Sequence, residues 1–395
     1  MQVRDTDIPI DDDSLDWQFE QDTGKLDADW LQVMQVLPAH WQDKALELGA
    51  VRRQLRSFSD VATVLRVLFI HLADGCSLRE TAARARAGGL VEVSNVALLK
   101  RLRRCGPWFQ WMTQQLSRTM ALPQSKQALL PGRRIRLIDG STVSEPGASG
   151  ATWRLHYALN LHTLSCDEVH VTDASQGESL TRYDIQPGDV VMADRGFANR
   201  RGLLHVLQHH ADVVLRTGLH QIKLHDSQQQ SLNLLEKLRE LRFGQAGDWQ
   251  AWLPASRSDG VNSQALAVRV CVYKKTAAQT RAAVQAIEQE ARRKKRQVKP
   301  ETIEAAGYVI VLTTLMQPDA SVIMELYRQR WQVELAFKRL KSLLQLGHLK
   351  KYDEQGAKAW LQGKLLVACL IEKFILTAEH FSPWDDKEPQ EAAPA

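Results

Sequence analysis

At residue 133 the hydrophobic period of this chain changes, and nothing else in the sequence restricts the fold as much. Downstream of that point RIRLIDGSTV, WRLHYALNL and DEVHVTDA have the apolar spacing and length of strands, separated by polar or Pro/Gly-containing turns. GESLTRYDI reads as a short helix, DVVMADRGF as a strand, NRRGLLHVLQHH as a helix and DVVLRTG as a further strand. The order is three strands, helix, strand, helix, strand, which predicts an α/β layer on a mixed sheet. Residues 219–307 interrupt it. There DWQAWLPA and QALAVRVCVYKK read as antiparallel strands. TRAAVQAIEQEARRKKRQVK reads as a helix with a basic end at Arg292, Arg293, Lys294, Lys295, Arg296 and Lys299. YVIVLTTL then returns as a buried strand, and AKAWLQGKLLVACLIEKFIL is an amphipathic helix near the C-terminus.

Upstream of residue 125 the pattern is helical. DVATVLRVLFIHLADG ends at Gly75, a candidate C-cap. Ser77 and Glu80 form the S-x-x-E pattern of a capping box. Gly88-Gly89 breaks that helix, and Ser94 or Asn95 can cap a second, VALLKRLRR, which ends in Lys100, Arg101, Arg103 and Arg104. A short helix, a glycine turn and a basic second helix make a helix-turn-helix pattern.

Charge supports a polyanionic partner for this region. Residues 51–134 hold fifteen Lys and Arg against four acids, a net of +11, whereas residues 1–30 hold ten acids against Arg4 and Lys25. The whole chain carries +5, so the basic segment is a local feature, of the kind that binds nucleic acid. There is no run of about twenty apolar residues and no basic-then-apolar leader, so a cytoplasmic, nucleoid-associated protein is expected. The five cysteines lie far apart without a C-x-x-C pair, which argues for free thiols and against structural zinc. No G-x-x-x-x-G-K-[ST] is present, so nothing calls for ATP, and His205, His209 and His210 lack partners spaced for a metal.

Two aspartates close strand-like runs. Asp139 ends the apolar part of IRLIDGST, and Asp194 follows DVVMA. Carboxylates at strand ends stand at the sheet edge, where α/β proteins keep their chemistry. The stretch YRQRWQVELAFKRLK, read as one helix, adds a third acid. At 100° per residue Arg330, Glu334 and Lys341 fall about −60°, −20° and −40° from Tyr327. Leu326, Val333, Phe337, Leu340 and Leu344 form the adjacent apolar stripe. Two Asp and one Glu on separate elements make a hard-oxygen site suited to Mg²⁺, and two such ions can activate water and stabilise a leaving oxygen at phosphorus.

Together L-I-D-G-S-T, A-D-R-G-F and the spacing Tyr327-x-x-Arg330-x-x-x-Glu334-x-x-x-x-x-x-Lys341 resemble the bacterial insertion-sequence DDE transposases of the Y-R-E-K signature class, in the insertion-sequence-four superfamily. The resemblance runs from about residue 50 to 375 and includes W-R-L-H-Y and the β-rich insertion. It implies a ribonuclease H-like catalytic core with a β-rich insertion, preceded by a helical DNA-binding domain. It makes Asp139, Asp194 and Glu334 the catalytic, metal-binding triad, for Mg²⁺ (two per site, with Mn²⁺ as a substitute). It places Tyr327, Arg330 and Lys341 on DNA phosphates and matches Arg216 of VVLRTG to a DNA-contacting position. It makes Tyr308 a base-stacking candidate, with Trp249 and Trp252 behind it. Its partners are double-stranded DNA (inverted-repeat ends and target) and a second copy of the chain. The expected division is an acidic arm over 1–28, a helical DNA-binding domain over 29–130, the core over 131–218 and 308–350, the insertion over 219–307, and a C-terminal helix and tail over 351–395 with a possible dimerisation role. The rival readings are a ribonuclease H-like nuclease or resolvase, and a domesticated DNA-binding protein without activity.

Overall fold

The computed structural model describes residues 27, 29–55, 57–120, 130–145, 147–256, 264–342, 345, 349 and 353–380. All of the expected acidic arm except Asp27 lies outside these residues, as do the tail beyond 380 and Leu344. The chain forms two compact units, Met1–Met120 with Leu344–Ala395, and Ala121–Leu343.

The first unit is helical. Residues 29–36 (α1) precede Trp41–Glu47 (α2), Val61–Leu72 (α3), Leu78–Ala87 (α4) and Asn95–Thr119 (α5). Asp60 caps α3 by accepting from the Thr63 N–H at 2.7 Å, and Val64, Leu65, Leu68 and Leu72 of that helix are buried. The start of α4 falls where S-x-x-E predicts. Ser77 accepts from the Glu80 N–H at 3.1 Å, but the Glu80 carboxylate takes Arg84 at 2.9 Å, so only half of the capping box forms. Gly75 has φ +72°, two residues beyond the Ala73 cap of α3. Ser94 caps α5. This helix runs well past the basic cluster, through Pro107, because Cys105, Trp108, Phe109, Met112 and Leu116 continue its buried face.

The second unit is built on one eight-stranded sheet. The chain passes through Ile135–Val143 (β1), Trp153–Asn160 (β2), Cys166–Asp173 (β3), a 3₁₀ turn at Leu180–Arg182, Val190–Ala193 (β4), a second 3₁₀ turn at Arg195–Phe197, Arg200–Gln208 (α6) and Asp212–Arg216 (β5). Next come Leu234–Arg239 (α7), Ala246–Leu253 (β6), Leu266–Lys274 (β7), Ala277–Arg293 (α8), Pro300–Ala305 (α9), Tyr308–Thr313 (β8), Ala320–Arg328 (α10) and Trp331–Ser342 (α11). The sheet order is β3-β2-β1-β4-β5-β8-β7-β6. β1, β4 and β5 are parallel, and every other pair is antiparallel. This is the α/β layer on a mixed sheet that the element order predicts, in the ribonuclease H-like form that the resemblance implies. The two strands of the insertion do not form a separate layer. They pair with β8 and with each other and so prolong the core sheet. α7 and α9 have no counterpart in the sequence reading; each is six residues long, too short to show a period.

The last helix, Glu354–His380 (α12), belongs to the first unit and packs along α5. A Cβ on Gly106 of α5 would stand 3.4 Å from Ala359 Cα, so small residues let the two backbones approach closely. The sequence division set this helix apart from the N-terminal helices. Its burial against α5 comes from apolar faces more than two hundred residues apart, which no local pattern can pair.

Candidate active site

The parallel pairing of β1 and β4 brings the two aspartates together. Ile138 is the partner of Ala193, so Asp139 and Asp194 each follow one member of a matched pair on adjacent strands. Asp139 sits where the β1 burial pattern changes from buried to partly exposed, and its Oδ1 accepts the Gly140 N–H at 2.7 Å. Asp194 caps the 3₁₀ turn and accepts the Gly196 N–H at 2.8 Å. Burial pushes the Asp139 carboxyl up to about 6; the charges of Asp194 and Glu178 act in the same direction, and the Gly140 N–H and Arg330 oppose them.

Glu178, which sequence reasoning missed, stands against both. It lies in the connection after β3 and accepts from Arg154 of β2 at 2.9 Å. A Cβ on Gly196 would overlap Glu178 Oε2 and lie 3.2 Å from Asp194 Oδ1, and a Cβ on Gly140 would lie 3.0 Å from Glu178 Oε1. The glycines of D-G-S-T and D-R-G-F thus leave room for one carboxylate between the two loops. Burial raises the Glu178 pKa, and Asp194 adds to it. The glycine after each Asp was the available signal; which acid fills the space only the fold shows.

The single helix expected for the third acid is two. α10 ends at Arg328, and the chain turns tightly through Arg330 N–H to Tyr327 O (3.1 Å), Gln332 N–H to Gln329 O (3.0 Å) and Val333 N–H to Arg330 O (3.2 Å) before α11. These i→i−3 bonds are a 3₁₀-type break, and no Gly or Pro marks it. The stripe angles therefore do not carry from Tyr327 to Lys341. The apolar stripe survives, with Leu326, Val333, Phe337 and Leu340 buried.

Glu334 lies in the first turn of α11 with 57% of its side chain exposed. Phe337, one turn on, packs on Tyr157 with ring centroids 5.6 Å apart, and Tyr157 is the β2 partner of Asp139. Arg330 links the acids: Nη1 lies 3.6 Å from Asp139 Oδ2, and Nη2 donates to Glu334 Oε1. Among the described residues no three His, Cys, Asp or Glu are arranged to hold a metal ion as they stand. The donor set is still hard carboxylate oxygen, the chemistry that Mg²⁺ prefers, and the Asp139–Glu334 approach is spanned by a cation.

The remaining sequence candidates separate. Tyr327 is buried, and its hydroxyl donates to no acceptor among the described residues. Burial raises its pKa, with Arg330 and Arg216 opposing. Arg216 ends β5 and lines two cavities, the larger shared with Tyr327 and Arg330. Lys341 is about 10 Å along α11 from Glu334, seven residues at 1.5 Å each, and is not drawn into the carboxylate group. Tyr308 opens β8 and is 6% exposed, with Lys274 Nζ 5.3 Å from its ring. Trp249 folds over Gly247. In the first unit the basic cluster divides. Arg101 donates to Ala50 O at 3.2 Å and Arg103 pairs with Asp353 at 2.9 Å, whereas Lys100 and Arg104 are exposed.

A carboxylate pair thus follows neighbouring parallel strands, and a later helix brings up a third acid. The Transposase DDE domain profile matches residues 130–370, and this chain belongs to that family of DNA-cleaving and strand-transferring enzymes. It is 34% identical over 354 residues to the transposase for insertion sequence element IS421 of Escherichia coli, covering 88% of this chain and 93% of that protein. Over 353 residues it is 34% identical, with the same coverage, to the protein named as transposase InsL for element IS186A of E. coli K12. The piggyBac transposase in a synaptic complex with hairpin DNA gives a TM-score of 0.45 at 11% identity, covering 88% of this chain and 72% of that one; at that score the fold rests on the sheet described above. No described helix is long and apolar enough to cross a membrane.

Proposed function

We propose that this enzyme binds the inverted-repeat ends of its own insertion element as a homodimer, and cuts and rejoins them at a site where Asp139, Asp194 and Glu334 hold two Mg²⁺ ions, Mn²⁺ being able to substitute. The observation that carries this is the register of Ile138 with Ala193, which sets two carboxylates side by side, together with the Arg330 bridge from Asp139 to Glu334. Bound divalent metal supplies an activated water or hydroxyl and stabilises the leaving oxygen. The chain's own groups do the rest. The buried Asp139 carboxyl sheds its proton more readily when positive charge arrives. Arg330, which neutralises Asp139 and Glu334 without metal, can then turn to a DNA phosphate, and the Tyr327 hydroxyl gains the acceptor it lacks.

The test is cleavage of linear DNA carrying the element's ends. Metal-dependent cuts confined to the repeat termini, lost with EDTA and restored by Mg²⁺, are expected. Nicking spread along the duplex would instead indicate a nuclease, and a protected footprint without cuts a domesticated binder.

End recognition is assigned to α4 and α5, through the exposed start of α5 and its outer cations Lys100 and Arg104. Lys100→Ala with Arg104→Ala should weaken end binding and lower the slope of log K against log salt by about one to two. Arg101→Ala should act mainly on stability, because its guanidinium serves the Ala50 carbonyl. A filter-binding salt series with no slope change in the double variant would move the reading surface elsewhere.

A further inference from the structure

We propose that Arg195, Arg216 and Lys275 form one phosphate-binding site at the carboxyl edge of the sheet, which holds the DNA backbone beside the Asp139–Asp194 pair. The proposal deepens the reading of that pair as a strand-cleaving centre and rests on it. Topology is the first support. β4 and β5 are parallel, and β7 runs with them because both β5 and β7 are antiparallel to β8. Arg216 ends β5, Lys275 follows β7, and Arg195 comes two residues after β4, next to Asp194. All three cations therefore stand at the edge that carries the aspartates.

They also line one cavity of about 520 Å³, walled on its apolar side by Ala283, Ile287 and Ile310. Arg216 and Lys275 continue into a second cavity of about 920 Å³ that reaches Tyr327 and Arg330, so the cations extend to the residue that contacts Asp139. Among the described residues no carboxylate pairs with any of the three. In the same unit Arg133, Arg134, Arg136, Arg154, Arg239 and Arg269 each have an acid. Glu325, the acid that lines the larger cavity, is engaged by Arg328 at 2.8 Å. Lys275 spends one donor on Ala306 O at 2.8 Å and keeps two. Burial lowers its pKa, and the charges of Arg216 and Arg195 lower it further. Arg216 and Lys275 are half-buried and Arg195 is exposed, and an anion among them would offset their mutual repulsion. The buried Tyr327 hydroxyl, which donates to no acceptor among the described residues, adds a donor for the same acceptor. A phosphodiester supplies the charge and the oxygens together.

Lys275→Gln tests this in the full chain, with Lys275→Arg as the charge-preserving variant and Lys294→Gln as an exposed control. Two probes separate the sources of phosphate: inorganic phosphate against chloride at equal ionic strength, and a short DNA duplex of unrelated sequence. Loss of one repelling cation should raise the Tm of the free protein by about 1–3 °C. The same change should at least halve the Tm gain that phosphate gives the parent. Duplex affinity near 0.1 M salt should fall about tenfold and the salt slope by about one. Lys275→Arg and Lys294→Gln should keep the parent slope. An unchanged phosphate shift together with an unchanged slope would overturn the site. A lost phosphate shift with an unchanged slope would also overturn it as a DNA site and leave a pocket for free phosphate. Cutting at element ends is measured separately, so a protein that shows these shifts but cuts nothing would defeat the cleavage reading and leave the phosphate site standing.

Discussion

Asp194→Ala and Asp139→Ala should each reduce end cleavage by roughly a thousandfold or more, while binding of the uncut ends persists. In the proposed mechanism each carboxylate belongs to a unit that acts together, and losing one member of such a unit removes most of its rate. The binding surface is assigned to another part of the chain, so affinity should move little. Asp139 carries a second expectation, in the pH dependence of stability. Its carboxyl is raised from 3.8 to about 6, chiefly by burial. The folded state therefore takes up a proton between those values. This group is harmless to stability below pH 4, weakens the fold as pH rises through that window, and imposes its full penalty above about 6. Asp139→Asn removes the penalty, and with Arg330 left partly unpaired it should stabilise the DNA-free protein by about 1–2 kcal/mol at pH 7, and by little at pH 4. Paired gels and thermal melts across pH would check both halves. Undiminished cutting by either alanine variant would remove that residue from the active site, and an Asp139→Asn protein less stable than the parent at pH 7 would refute the burial argument.

Arg136→Ala should be among the most destabilising single changes in the second unit. This residue of β1 is 1% exposed and reaches β3 and the connection that leads into β4. It pairs with Asp167, with Glu168 at 2.6 Å and with Asp189 at 3.5 Å, and donates to Asp184 O at 2.8 Å. Breaking a buried ionic network from one side leaves charge without compensation and costs about 3–5 kcal/mol. Asp189 keeps Arg134 at 2.7 Å and Glu168 keeps His170 at 2.7 Å, which favours the lower end. A loss near 3 kcal/mol corresponds to a fall in Tm of about 6–12 °C. Calorimetry or urea unfolding would measure it. A change below about 1 kcal/mol would mean that the remaining partners suffice, and that the network is not what fastens β1 to β3 and β4.

The strands, their order and the two aspartates were readable from the sequence because their signals are local. RIRLIDGSTV and DVVMADRGF each show a buried run ended by an acid and a glycine, and Ser77 and Ser94 mark helix starts by their own hydroxyls. Reading Tyr327 to Lys341 as one helix failed for a local reason as well. Two shortened turns keep the apolar residues facing the core, so the hydrophobic pattern looks the same with the break as without it.

What the sequence alone determined was the class of fold, the acids at the strand ends and the family, since period, turn chemistry and motif spacing depend only on near neighbours along the chain. The tertiary structure decided which groups meet. It joined the insertion strands to the core sheet through β8, laid α12 against α5, brought Glu178 between two glycine loops, turned Arg103 to Asp353 and Arg101 to Ala50, and set Arg195, Arg216 and Lys275 on one edge. Each of these depends on contacts between residues far apart in the chain, whose formation is governed by burial and charge in the folded state, and a linear pattern carries no record of them.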